Sequence, residues 1–211
     1  MKLRVSRVHF PVTVLGPGRR LGIWVQGCGI KCHGCVSRDT WDRNGGQLID
    51  VNELVQDCRR ITAGQIDGVT ITGGEPFEQP DALAALLDAL EGWRTAKRFD
   101  VLCYSGFPLK QLEREHATLF ARLDALIPEP FVEERPIPGA WRGSDNQPLI
   151  APSKLGRERY STFPIKAPSI QVVVTDNPIW FIGIPRRGDM DRLQVLVKQY
   201  GLELEDASWR T

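Results

Sequence analysis

Apolar positions along this chain alternate between short continuous runs and stripes of helical period. Leu21 to Val25 (L-G-I-W-V) is an apolar run that stops at Gly27. Asp50 stands where it can cap a helix, because Val51, Leu54, Val55 and Cys58 follow at i, i+3, i+4 and i+7, with Glu53 as a capping-box carboxylate. Val69 to Thr72 predicts a buried strand broken by Gly73-Gly74. Pro80 suits the first turn of a helix whose Leu83, Leu86, Leu87 and Leu90 share one face. Phe99 to Tyr104 predicts the next strand, Leu109 to Leu123 a helix, and Ala125 to Ile127 another short strand.

This alternation predicts a parallel sheet with helices on its outer face. A closed eight-unit barrel takes about 250 residues, and this chain has 211, part of it irregular. The expected fold is therefore α/β: a partial, open (β/α) barrel of mainly parallel strands. Its lateral mouth must be closed by something else, such as a macromolecular substrate. Six of the fifteen prolines fall between Pro128 and Pro152, a stretch without clear period that reads as a loop. Beyond it, Ile170 to Thr175 and Ile179 to Ile184 flank Asp176-Asn177-Pro178 and predict a hairpin. Met190, Leu193, Val197 and Tyr200 mark one face of a closing helix. The expected organisation is a partial-barrel domain over 1–152 and a C-terminal extension over 153–211, β-rich and then helical, packed on it.

Charge changes the picture only by exclusion. Lys and Arg total 27 against 26 Asp and Glu, so no strong field favours nucleic acid or an anionic membrane, and no apolar run reaches the length of a membrane span. Five cysteines are an odd count and no secretory segment follows Met1, which predicts a reducing, cytoplasmic setting with free thiols. Cys58 lies in a helical apolar stripe and Cys103 in a strand, so both are expected in the core.

The other three, Cys28, Cys32 and Cys35, form C-G-I-K-C-H-G-C. Three thiolates at this spacing can converge on one inorganic centre and leave one coordination position without a protein ligand. In a four-iron cluster that iron is free to bind a substrate, whereas electron-transfer clusters are normally ligated at every iron. A Cys3His structural zinc site with His33 as fourth ligand is the other reading, opposed by the direct adjacency of His33 to Cys32.

A second motif, Thr72-Gly73-Gly74-Glu75-Pro76, ends a predicted strand. In parallel α/β sheets ligands gather at that end, and paired glycines permit close backbone approach. Alone this reads equally well as an ordinary Gly-Gly turn; its place downstream of the three cysteines gives it weight.

With these residues in view, the chain resembles the radical S-adenosylmethionine (SAM) superfamily, and within it the activating enzymes of anaerobic, glycyl-radical ribonucleotide reductases. The likeness runs from about Val12 to Gln147. It takes in Gly16-Pro17-Gly18, the cysteine run, Thr40-Trp41, the Gly-Gly motif, Tyr104-Ser105-Gly106-Phe107 and Phe131-Val132. Trp141-Arg142-Gly143-Ser144-Asp145-Asn146-Gln147 is the most discriminating stretch.

The resemblance implies that Cys28, Cys32 and Cys35 hold a [4Fe-4S] cluster whose fourth iron is chelated by SAM. It implies that Gly73, Gly74, Glu75 and Ser105 bind SAM, with Glu75 accepting from its ammonium. Reductive cleavage of SAM would give a 5′-deoxyadenosyl radical that installs a glycyl radical on a partner enzyme, with a flavodoxin or ferredoxin-type protein as reductant. The chain departs from the family at Pro128-Glu129-Pro130, where relatives tend to carry an acidic-Gly pair, and in its added tail. A radical SAM enzyme acting on a small molecule or peptide, its pocket completed by the tail, is the alternative. A non-enzymatic iron-sulfur or zinc module is the third reading.

Overall fold

The structure, a computed structural model, describes residues 1–135, 141–161, 169–174, 179–201 and 207. The expected turn at Asp176-Asn177-Pro178 lies outside them. A six-stranded sheet forms the centre, built from β1 (Lys2–Val12), β2 (Arg20–Val25), β3 (Gln47–Asp50), β4 (Gly68–Gly73), β5 (Asp100–Tyr104) and β6 (Ala125–Ile127). Its order is β3-β1-β2-β4-β5-β6. The pairs β2–β4, β4–β5 and β5–β6 are parallel, and β1 runs antiparallel to both β2 and β3. The sheet is thus mainly parallel, with an antiparallel flank.

Helices α1 (Val51–Thr62) and α2 (Pro80–Arg94) cover one face. Asp50 caps α1 by accepting from the Asn52 N–H, and Pro80 occupies the first turn of α2. Strand positions two apart point the same way, so Leu21, Ile23, Val25, Val69, Ile71, Val101 and Cys103 all face these helices. There they meet Leu54, Val55, Cys58, Leu83, Leu86, Leu87 and Leu90. Truncating any one of these leucines to alanine costs about 2–5 kcal/mol. Cys58 and Cys103 are both fully buried, as their stripes predict.

The single helix expected over 109–123 is two pieces, α3 (Leu109–Glu115) and α4 (Ala117–Phe120). His116 leaves helical geometry at φ −131°, ψ 27°. Its ring lies between Phe77 and Phe107, at centroid distances of 5.3 and 6.3 Å, and this ring packing wins over a continuous helix.

The opposite face of the sheet is covered by the C-terminal part of the chain. Tyr160 of α5 (Lys154–Ser161) packs against Leu102, Ala125, Ile127 and Trp141. The antiparallel hairpin β7 (Ile170–Val174) and β8 (Ile179–Gly183) brings Ile182, Trp180 and Val173 against Val12, Leu15, Trp24 and Tyr104. Gln171 stitches the hairpin to the end of β1, accepting from the Thr13 N–H at 3.0 Å and donating to the Pro11 carbonyl at 2.8 Å. Helix α6 (Asp189–Gln199) closes the described fold with no fully buried residue, and Tyr200 beyond it is exposed.

The amino ends of the parallel strands are tied by a buried ion pair. Arg20 and Asp100 are both fully buried and meet through two N–H···O bonds of 3.1 and 2.8 Å. The remaining guanidinium donors go to Thr70 Oγ1, the Pro17 carbonyl and the Val69 carbonyl. All five N–H groups are satisfied, which is the condition for burying such a charge. Gly68 makes room for it, since a Cβ there would lie 2.1 Å from Arg20 Nη1.

Candidate metal centre

The cysteine loop leaves the carboxyl end of β2. Its base is closed where the Gly27 N–H donates to the Thr40 carbonyl at 2.8 Å and the Cys28 N–H to the Trp41 carbonyl at 3.1 Å. Gln26, buried beneath, donates to the Asp39 and Asp42 carbonyls. Within the loop the Cys35 N–H donates to the Cys32 carbonyl, and Lys31 and Gly34 take positive φ of 52° and 73°. Glu78 anchors the loop from the turn before α2, accepting from the Gly29 N–H at 2.7 Å and pairing with Arg43 at 2.9 Å.

Cys28, Cys32 and Cys35 are unpaired and half-buried. Burial pushes all three thiols up, and the charges of Cys32 and Cys28 both raise Cys35, so the three sulfurs share one electrostatic neighbourhood. Donors oppose the rise: the backbone N–H groups of Lys31 and Ile30 at Cys28, of Phe131 at Cys32 and of Ser37 at Cys35, with the Trp41 side chain also at Cys35. Hydrogen bonds to sulfur favour an anionic centre and are one of the means by which proteins tune iron-sulfur potentials.

This donor set fits a four-iron cluster better than a single ion. Tetrahedral zinc with Zn–S bonds near 2.3 Å needs its sulfurs about 3.8 Å apart. Among the described residues the group whose ligating atoms gather within 4.8 Å is His33, Glu133 and Glu134, and the three thiols form no such group. His33 is turned from the thiols, its exposed ring placing Nδ1 2.9 Å from Glu133 Oε2.

The Gly-Gly motif ends β4 directly beside this loop. The Gly74 N–H donates to the Val25 carbonyl and the Glu75 N–H to the Gly27 carbonyl, both at 2.8 Å. A Cβ on Gly74 would lie 2.2 Å from the Gly27 carbonyl oxygen, so glycine here lets the two strand ends touch. Gly73, at φ 99°, would likewise press a Cβ to 2.7 Å from the Val25 carbonyl oxygen.

Glu75 is buried and heavily engaged. Its Oε1 accepts from the Phe77 N–H at 3.0 Å and the Ser105 hydroxyl at 2.9 Å, and its Oε2 from the Gly106 N–H at 2.7 Å. Burial pushes its pKa up to about 7 against these donors. Ser105 in turn accepts from the Phe107 N–H. The two residues join the ends of β4 and β5, and among the described residues Oε2 has one donor, the Gly106 N–H.

The structure therefore brings all seven expected site residues to the carboxyl ends of three adjacent parallel strands. Glu78, Gln26 and the Phe131 backbone went unrecognised in the sequence. Glu78 alone left a trace there, as a second carboxylate three positions after Glu75. No helix among the described residues is long and apolar enough to cross a membrane.

Comparison with known proteins agrees with this geometry. Residues 14–150 match a family described as a 4Fe-4S single cluster domain. The anaerobic ribonucleoside-triphosphate reductase-activating protein of Enterobacteria phage T4 is 33% identical over 152 residues, covering 70% of this chain and 93% of that protein. Its namesake in Vibrio cholerae is 30% identical over 144 residues, covering 66% and 92% respectively. The pyruvate formate-lyase-activating enzyme of Clostridium pasteurianum is 34% identical over 87 residues, which span 40% of this chain and 37% of that enzyme. The chain belongs to the 4Fe-4S single-cluster-domain family of radical SAM activating enzymes, among the anaerobic ribonucleoside-triphosphate reductase-activating proteins.

Proposed function

We propose that the protein installs a glycyl radical on a partner enzyme such as an anaerobic ribonucleotide reductase, with Cys28, Cys32 and Cys35 as the ligands of its [4Fe-4S] cluster. The supporting observation is the contact of two strand ends: the start of the loop that carries three unpaired thiols is joined to the Gly73-Gly74-Glu75 segment by the Gly74–Val25 and Glu75–Gly27 backbone bonds. Cys28, Cys32 and Cys35 would hold the cluster, which would supply the one electron that cleaves SAM to methionine and a 5′-deoxyadenosyl radical able to abstract hydrogen from the partner's glycine.

The chain's own residues hold and orient. Gly73 and Gly74 offer the β4 backbone to the methionine end of SAM. Ser105 and the Phe77 and Gly106 N–H groups fix Glu75, whose Oε2 accepts from the SAM ammonium. Residues 1–152 carry this chemistry as a partial, open barrel with the cluster on a loop, and 153–211 form an extension packed on it. A flavodoxin or ferredoxin-type reductant in the cytoplasm completes the reading.

The test is anaerobic reconstitution with iron and sulfide, reduction, and assay of 5′-deoxyadenosine from SAM, with and without a glycyl-radical reductase. Wild type should form product and a glycyl radical on the reductase, and Cys32→Ala neither. Product from Cys32→Ala equal to wild type would overturn the ligand assignment. Repeated turnover on a small molecule, with no radical on the protein partner, would favour the alternative substrate class.

A further inference from the structure

The polar side chains of the stretch Gly143 to Gln147 converge on one short segment. Gln147 Nε2 donates to the Glu129 carbonyl at 2.9 Å, and Asn146 Nδ2 to the Pro130 carbonyl at 2.8 Å. Ser144 Oγ accepts from the Val132 N–H at 3.1 Å. Three side chains thus engage the backbone at 129, 130 and 132, on either side of Phe131. Ser144 is fully buried and Gln147 nearly so. Gln147 also braces its own strip, since its Oε1 accepts from the Gly143 and Ser144 N–H groups.

Phe131 is the residue so held, and its ring is enclosed by two glycines. A Cβ on Gly143 would lie 2.8 Å from Phe131 Cδ2, and one on Gly34 would lie 3.2 Å from Cε1 on the other edge of the ring. Gly34 stands between Cys32 and Cys35. The ring therefore bridges the braced strip and the cysteine turn. Segment 129–132 has a further tether, from the Leu109 N–H to Glu129 Oε1 at 2.9 Å.

We infer that Ser144, Asn146 and Gln147 are positioning residues of the cluster site: they fix the 129–132 backbone so that Phe131 clamps the Cys32–Cys35 turn from outside the cysteine loop. The inference rests on the cluster assignment above. Packing and solvent exposure around a cluster help to set its reduction potential, so loosening this clamp shifts the potential. Losing outer partners of metal ligands also costs about 10- to 100-fold in metal affinity.

The experiment uses two variants of the full chain after anaerobic reconstitution. Gln147→Ala removes the brace. Gly143→Ala removes no hydrogen-bonding group but drives a methyl into the Phe131 ring and against Gln147 Oε1, so it still reports if Gln147→Ala fails to fold. Tyr160→Phe, at the opposite end of the sheet, is the control for simple destabilisation. The expected result is a shifted midpoint potential and about 10- to 100-fold greater loss of iron to a chelator in both brace variants, with Tyr160→Phe at the wild-type potential. Wild-type potential and iron retention in the folded brace variants, or an equal shift in Tyr160→Phe, would overturn the inference. A wild type that assembles no cluster would instead overturn the cluster reading, and this inference with it.

Discussion

The Tyr160 hydroxyl donates to Asp100 Oδ2 at 2.8 Å, joining α5 to the carboxylate that Arg20 holds in bidentate fashion. Arg159 Nε stands 2.7 Å from Asp100 Oδ1, close enough to pair though not aligned as a hydrogen bond. A helix outside the matched 14–150 segment has thus been built onto the buried ion pair at the amino ends of the strands.

Tyr160→Phe removes a hydrogen bond to a charged group but leaves the ring packed on Trp141. It should destabilise the protein by about 1.5–3 kcal/mol. Urea unfolding of the unreconstituted protein measures this.

Arg20→Ala should cost more, about 3–5 kcal/mol, because it leaves Asp100 buried without its bidentate partner. The same unfolding experiment compares the two variants. A cost no greater than that of Tyr160→Phe would show that Asp100 finds water or another cation when Arg20 is removed.

Glu75 makes stability depend on pH in a direction opposite to that of most carboxylates. Its folded pKa is raised from 4.5 to about 7 by burial, so the folded state holds the proton more tightly than the unfolded chain does. Stability attributable to this group is highest below pH 4.5 and falls as pH rises to about 7, in total by a few kcal/mol at most. Glu75→Gln cannot titrate and should flatten this slope in unfolding curves taken from pH 5 to 7.5. An unchanged slope in the variant would assign it to other groups.

Two glycine-to-alanine changes should act in opposite directions. Gly74→Ala places a methyl 2.2 Å from the Gly27 carbonyl oxygen and should part the β4 end from the cysteine loop, which iron content after reconstitution reports as a severe loss. Gly92→Ala, inside α2 with open space around it, should stabilise by about 0.4–1 kcal/mol. Thermal unfolding reads the second.

Ile182 carries the hairpin's contact with the sheet, being 5% exposed among Val12, Leu15 and Trp24. Ile182→Ala should cost about 2–5 kcal/mol while leaving cluster assembly intact. Parallel denaturation and iron analysis separate the two effects.

Elements with one clear period and a chemical boundary were legible from the chain alone. Asp50 opened α1, Pro80 opened α2, and the apolar runs at β4 and β5 ended at glycine or serine where the site begins. Strands β1 and β3 left no such mark, because Arg4, Arg7 and His9 interrupt the first and the second is four half-exposed residues. The helix expected from Leu109 broke at His116 for the sake of two aromatic neighbours, a tertiary effect without local trace. The same limit applies to the site. The cysteines and Gly-Gly-Glu are local motifs and could be read. Arg20 and Asp100 are 80 positions apart, and the polar side chains after Trp141 show their purpose only once segment 129–132 lies beside them.

The C-terminal cover has a consequence for what can reach the cysteines. With Tyr160 seated at one flank of the sheet and Ile182 at the other, the face opposite the helices is covered at both flanks among the described residues. Selection among partners then becomes a question of reach.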